Sequence, residues 1–203
     1  EVVNGGLAHG TAPAVCHPGG AAICGAMLWY PDETIQHAGI VTGLGGYAGH
    51  SHKYKKKGGS GYLFRTSTVQ DFSGVTGACL LVKTAVYDEM HGLDEQFAVA
   101  FNDVDFCLRV RDAGYRIAWT PYAELIHYES KSRGGDEKDP VKAARFAAEQ
   151  QRLYTIHGKE NILDDPYYNP NLTRDREDFS ESDDLRRLKE GRVTVRFRGG
   201  TLQ

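Results

Sequence analysis

An α/β fold with a mixed sheet and flanking helices follows from two observations on this chain. Short apolar runs of strand length, Ile23 to Trp29, Ile35 to Thr42, Thr76 to Val82, Tyr115 to Trp119 and Glu124 to Tyr128, are interleaved with segments of helical periodicity. The two kinds follow one another without the regular strand-helix-strand repeat of a wholly parallel sheet, so the sheet is expected to be at least partly mixed. A complete nucleotide-binding half is not visible.

Taken in order, Ile23 to Trp29 stops at Tyr-Pro-Asp-Glu, and this run and Ile35 to Thr42 read as two strands joined by a turn. From Gly43 to Gly61 the text turns to glycine, histidine and lysine with little periodicity, the makeup of a mobile loop. Thr76 to Val82 reads as a buried strand, and Thr84 to His91 as a helix that Gly92 ends in a left-handed cap. A second helix starts at Asn102, a favoured N-cap residue, and ends at Gly114. Its Val104, Cys107, Leu108 and Val110 supply apolar spacing, and Asp105 and Arg109 form a steadying pair. Tyr115 to Trp119 and Glu124 to Tyr128 are expected as separate strands split by a Thr-Pro turn. Asp139-Pro140 is an N-cap followed by a first-turn proline, opening a helix with Ala143, Phe146, Ala147, Gln150, Leu153 and Tyr154 along one side and Gly158 at its end. Beyond Asn161 the chain reads as a peripheral extension whose order depends on docking.

The totals bound the function. The 203 residues suffice for one domain plus a tail, with 40% hydrophobic and 25% charged residues, as in an ordinary globular protein. A net charge of -3 gives no global attraction to nucleic acid or to an anionic membrane. No apolar run approaches the roughly 20 residues of a membrane span, and the first residues lack the pattern of a signal peptide. A cytoplasmic protein, at most peripheral to the inner face of the membrane, is expected. Cys16, Cys24, Cys79 and Cys107 show no Cys-x-x-Cys spacing, which argues against a disulfide framework or a zinc knuckle. The chain begins at Glu1 without a methionine and reads as a piece of something longer.

The most chemically suggestive stretch is Phe101-Asn-Asp-Val-Asp-Phe-Cys-Leu-Arg109. Asp103 falls in the first turn of a helix, where the dipole favours a carboxylate, and either serves as a general base or merely helps to cap the helix. Asp103-Val-Asp105 also has the form used to hold Mg²⁺ or Mn²⁺ on a diphosphate. On a helix, however, residues i and i+2 diverge by about 200°, which leaves Asp103 as base and Asp105 as cap. Gly43-Leu-Gly-Gly-Tyr-Ala48 matches a dinucleotide fingerprint, but no helix follows it, so a loop is expected. His50 and His52 alternate as a metal pair would, without a fixed third ligand nearby. Lys53, Lys55, Lys56 and Lys57 either face solvent or meet an anionic substrate. His127 ends an apolar strand, where a packed histidine and a metal ligand are both open readings.

Together, Gly25-Ala-Met-Leu-Trp-Tyr-Pro-Asp-Glu-Thr-Ile-Gln-His-Ala-Gly39, Thr76-Gly-Ala-Cys-Leu-Leu-Val82, Gly92-Leu-Asp-Glu-Gln-Phe97, the Asn102 to Arg109 block and His127-Tyr-Glu-Ser-Lys-Ser-Arg-Gly134 resemble bacterial family-two glycosyltransferases. Rhamnosyltransferase-like members that build surface polysaccharides are the most similar, and the resemblance runs from about Cys16 through Asn171. It implies the acceptor-side, C-terminal half of a GT-A fold over residues 21–160, with 1–20 poorly structured and 161–203 an extension. It further implies a nucleotide-sugar donor, a saccharide acceptor and inversion at the transferred sugar. Asp103 matches the base that deprotonates the acceptor hydroxyl, with Asn102 beside it, and Thr76, Gly77 and Ala78 match a wall of the acceptor pocket. His127 matches an added metal ligand of some relatives. Lys131 and Arg133 lie in a segment similar to one that orders over bound donor.

Two departures accompany the resemblance. Asn102 replaces the Glu common before the catalytic Asp, and the donor half with its upstream Asp-x-Asp is absent, so a divalent cation, Mg or Mn, is expected only with that half. A chain lacking its partner half is expected to expose apolar area and to self-associate. Two rival functions remain at this stage: a non-catalytic carbohydrate-binding or assembly module on the same fold, and a metal hydrolase built on His50, His52, His127 and Asp103.

Overall fold

The computed structural model describes residues 2–3, 20–128, 139–183, 196–197 and 200–201, and Cys16, Lys131 and Arg133 lie outside them. The architecture is mixed α/β, a curled mixed sheet with helices against it, as the interleaved runs predict. Its spine is a parallel pair, β2 (Ile23–Trp29) against β8 (Ile117–His127). β3 (Ile35–His37) and β7 (Leu80–Val82) run antiparallel to β2, while β1 (Val2–Val3) and β6 (Gln70–Asp71) run antiparallel to β8. Six of the seven residues of β2 are buried, as expected for a central strand covered on both faces. β9 (Arg196–Phe197) pairs only with β10 (Gly200–Thr201) among the described residues.

Two strand boundaries differ from expectation. The run Ile35 to Thr42 is broken after His37, and β4 (Ile40–Thr42) leaves the main sheet to pair with β5 (Ala48–His50). The break sits at Gly39, whose φ of 97° belongs to the left-handed region and whose missing Cβ would lie 2.6 Å from the Phe72 ring. Conversely, the two strands expected around Thr-Pro are one. Ala26 pairs with Thr120 and the next β2 residue, Met27, with Glu124, so Pro121, Tyr122 and Ala123 bulge out of the ladder. Proline has no N–H to give to the ladder, and the bulge absorbs it without ending the strand.

Among the described residues four helices flank the sheet: α1 (Thr84–Glu89), α2 (Asn102–Asp112), α3 (Pro140–His157) and α4 (Lys159–Leu163). Asp139 caps α3 by accepting the Val141 N–H at 2.9 Å. The buried side of α3 is Glu149, Leu153 and His157, whereas Ala143 and Ala147 are exposed. The main core gathers Phe72, Phe106, Val110, Ile117 and Trp119. Trp119, fully buried, donates its indole N–H to the Ala26 carbonyl at 3.1 Å and so fastens the spine from inside.

The first half of the stretch expected to form a mobile loop after Thr42 is packed instead, while Lys56 to Ser60 are exposed. Leu44–Gly46 makes a 3-10 turn, β5 follows, and Ser51 and His52 are buried. The cause lies far along the chain: the Gly45 N–H donates to the Arg174 carbonyl, and Glu177 accepts the His52 N–H on its carbonyl and the His50 N–H on its carboxylate. Residues expected to be peripheral do this work, with Tyr168, Leu172 and Phe179 buried in the main core.

Candidate functional site

Asp103 stands half-buried in the first turn of α2. Its Oδ2 accepts the Gly77 N–H at 2.8 Å and its Oδ1 accepts the Val104 N–H at 2.8 Å. Each carboxylate oxygen retains a second acceptor site, so the group remains able to take a proton. Gly77 offers its N–H because Thr76 to Cys79 is a turn and not the expected strand. The Cys79 N–H reaches the Thr76 carbonyl at 3.3 Å and the Ala78 N–H reaches Thr76 Oγ1 at 3.3 Å. Asp103 and the Thr76–Gly77–Ala78 turn are thus brought together, and Gly77 is solvent-exposed.

The approach to α2 is held from two sides. Glu149, on α3, accepts the Val99 N–H at 3.2 Å and the Ala100 N–H at 2.7 Å. Phe101 then packs edge-on to Tyr47 and against Phe146, and takes the N-cap position with a left-handed φ of 63°. Asn102 is therefore the first helical residue and not the N-cap. Its Oδ1 accepts the Asp103 N–H at 2.7 Å.

Asp105 does not cap the helix either. It is 1% exposed, with Oδ2 accepting Arg109 Nε at 2.9 Å and Oδ1 within 2.8 Å of His157 Nε2. Arg109 carries the link onward to the Met90 and Gly92 carbonyls just after α1. The Asp103 and Asp105 carboxylates therefore point apart, one onto the Gly77 turn and one into the interior.

Sequence reasoning missed His37. It is fully buried, its Nε2 accepts the Thr76 N–H at 3.4 Å, and its Nδ1 lies 2.9 Å from His50 Nδ1. With Nε2 accepting, a neutral His37 carries its proton on Nδ1 and donates it to His50. Burial, then the nearby His50 and His127, hold the His37 pKa well below the ordinary histidine value. The Gln-His-Ala text within an apolar run was the available signal, but its partner Thr76 is visible only in three dimensions.

His50 and His52 do not converge on one point. His52 turns the other way, accepting the Tyr62 N–H on Nε2 at 2.9 Å and meeting Ser51 Oγ through Nδ1 at 2.7 Å. His127 is the last residue of β8, in register with Val2. Among the described residues no group of three or more His, Cys, Asp or Glu is arranged to hold a metal ion. Cys79 and Cys107 are free thiols, and burial pushes Cys107 up to about 12, so it packs as an inert hydrophobe. Lys57 lies over Trp29 and pairs with Glu124 at 2.9 Å. No helix among the described residues is long and apolar enough to cross a membrane.

Comparison with known proteins places this geometry in context. The chain is 48% identical over 161 residues to a Sinorhizobium fredii protein named y4gI, whose name states no activity, covering 79% of this chain and 18% of that protein. It is 35% identical over 150 residues to the O-antigen biosynthesis protein RfbC of Myxococcus xanthus, covering 73% of this chain and 11% of RfbC. It is 32% identical over 80 residues to an N-acetylglucosaminyl-diphospho-decaprenol L-rhamnosyltransferase of Mycobacterium tuberculosis, 39% of this chain and 24% of that enzyme. The chain thus spans less than a quarter of the length of these relatives. No family model and no solved structure matches it. The names of the relatives support a glycosyltransferase-like family connected with polysaccharide synthesis.

Proposed function

We propose that this chain is the acceptor-side part of an inverting glycosyltransferase of GT-A type that extends a surface polysaccharide, with Asp103 as its general base. The observation that carries the reading is the half-exposed Asp103 carboxylate at the start of α2, held to the Gly77 N–H beside an exposed turn. The relatives named for O-antigen biosynthesis and rhamnosyl transfer supply the substrate class.

In the proposed reaction an acceptor hydroxyl enters against Thr76, Gly77 and Ala78, with Asn102 beside the base. Asp103 takes the hydroxyl proton as the oxygen attacks the anomeric carbon of a nucleotide sugar. The bond to the diphosphate breaks and the nucleoside diphosphate departs with the electron pair. Such an in-line displacement depends on alignment, and the clamps at Gly77 and Glu149 are the residues that fix the base before substrate arrives. Lys131 and Arg133 are proposed to meet the donor.

The described residues do not by themselves make a cation site, since His127 is one imidazole without two further ligands grouped about it. Mg²⁺ or Mn²⁺ therefore belongs, in this proposal, to a diphosphate-binding part of a longer protein, and His127 would join it there. In this proposal the isolated 203-residue chain is inactive and the longer protein works at the cytoplasmic face.

Asp103→Asn in the longer parent protein tests the assignment. Transfer is expected to fall on the order of 10²–10⁴-fold, the usual contribution of a general base, with unfolding free energy changed by less than about 1 kcal/mol. An undiminished rate removes Asp103 from the chemistry. Robust donor-dependent transfer by the 203-residue chain alone would overturn the half-site reading.

A further inference from the structure

Successive backbone N–H groups of the turn facing Asp103 are taken by side chains, and most of those side chains belong to other elements. The Val75 N–H reaches Cys107 Sγ at 3.5 Å, the Thr76 N–H reaches His37 Nε2 at 3.4 Å, the Gly77 N–H reaches Asp103 Oδ2 at 2.8 Å and the Ala78 N–H reaches Thr76 Oγ1 at 3.3 Å. Asp103 and Cys107 stand four positions apart on α2 and so share one face of that helix. The turn is therefore hung between this face and His37, the last residue of β3. Its start is fixed too, because the Gly74 carbonyl accepts the Ile40 N–H at 2.8 Å.

These outside holders are not equivalent. The Cys107 thiol is a weak acceptor. Asp103 is the proposed base, and a carboxylate that takes a proton becomes a poorer acceptor, so its hold on Gly77 slackens during the reaction. His37 has neither weakness. Its ring is fully buried, and a buried imidazole needs partners for both nitrogens. Nδ1 lies 2.9 Å from His50 Nδ1, and Nε2 is aimed at the Thr76 N–H. An apolar side chain among the buried Ile35 and Ala38 would bring no polar group to satisfy, whereas the imidazole brings an acceptor and directs it to this turn.

We propose that His37 is a positioning residue for the transfer site: through the Thr76 N–H it holds the Thr76–Gly77–Ala78 wall beside Asp103, so that the wall keeps its place when the base changes charge. His50 assists by accepting the Nδ1 proton of His37, which leaves Nε2 bare. The hold on the turn stands on the geometry alone, and its consequence for the acceptor rests on the transfer reading above.

Three variants at this position supply the test. Gln places a polar atom where Nε2 stands, Asn places one where Nδ1 stands, and Leu has neither. Transfer by the longer parent protein is measured with acceptor and donor varied separately. Acceptor KM is expected to rise about tenfold in His37→Asn and His37→Leu, the upper scale of one hydrogen bond, with donor KM unmoved. His37→Gln should bring acceptor KM back to within about threefold of the unsubstituted protein. Loss of folded enzyme alone lowers the rate and leaves acceptor KM where it was, so an unmoved acceptor KM, or equal values for Gln and Asn, overturns the role. Nitrogen NMR of the imidazole in the unsubstituted 203-residue chain decides the matter even where the variants fail to fold. A neutral His37 with its proton on Nδ1 is expected, and a proton on Nε2 overturns the proposal. The base assignment fails separately, since Asp103→Asn is read from the transfer rate, and neither acceptor KM in the His37 variants nor the His37 tautomer depends on that result.

Discussion

Acidification should unfasten the segment after Thr42 through His52, and the size of the effect can be worked out. His52 is 2% exposed, its Nε2 accepts the Tyr62 N–H at 2.9 Å, and its ring stacks on Phe179 with centroids 4.2 Å apart. A proton on Nε2 would set two donors against each other. Burial first, then the charges of Lys55 and Arg65, lower its pKa from 6.5 to about 4. Between those values the unfolded chain binds a proton that the folded chain refuses, so the stabilisation is fully present above 6.5 and is lost as pH falls toward 4. At about 1.4 kcal/mol per pH unit the whole interval amounts to ~3 kcal/mol, of which about 2 kcal/mol is gone by pH 5. His37, also depressed, acts in the same direction. The assay is urea unfolding of the parent chain and of His52→Gln at pH 8, 6 and 5. The variant should be less stable at pH 8, and the difference between the two should shrink by about 2 kcal/mol at pH 5, because titrations common to both cancel. A difference that stays constant with pH would refute the argument.

Five substitutions separate anchoring from chemistry. Asp105→Asn breaks a buried link to Arg109 and His157 and should cost about 3 kcal/mol in unfolding free energy, whereas Asp103→Asn, on a half-exposed group, should cost less than about 1 kcal/mol; similar losses for the two would contradict the division of roles. Glu149→Gln removes the acceptor of one of two backbone N–H groups and should lower stability by about 1–3 kcal/mol, read from the denaturation midpoint. Gly39→Ala drives a Cβ against the Phe72 ring at a positive φ and should cost about 2–4 kcal/mol, while Gly77→Ala, whose Cβ would meet Asp103 at 3.5 Å, should be far milder. Sedimentation of the parent chain addresses the expected self-association, for which Leu63 and Phe64, 75% and 66% exposed, are the candidate surface; a chain that stays monomeric as concentration rises removes it.

What the sequence disclosed was local in origin. The limits of β2 follow from an apolar run ended by a Pro-Asp turn, and those of α3 from Asp139-Pro140 and Gly158. What it hid depends on partners distant along the chain. Gly39 divides an apolar run because Phe72 lies against it, and the Gly45 to His52 part of the glycine-rich stretch takes its hydrogen bonds from Arg174 and Glu177. Pro121 suggested a strand end, yet only the pairing of β8 with β2 decides whether a proline ends a strand or bulges from it. At the site, Asp103 was legible from its place in a first turn, while the burial of Asp105 required His157, 52 positions away.

The capping alternative for Asp103 can now be weighed against the geometry. A residue that serves only to cap accepts an N–H from its own helix from outside the first turn, as Asp139 does for α3. Asp103 lies inside the first turn, and while one oxygen accepts the neighbouring Val104 N–H, the other reaches across to Gly77. That second bond lies outside the helix's own hydrogen bonding. It fixes the carboxylate against a turn from another part of the chain, and the residues that would be needed to hold α2 in place are Glu149, Phe101 and Asp105 instead. The arrangement is also the one the proposed base needs, a carboxylate held where an entering hydroxyl can come within hydrogen-bond reach.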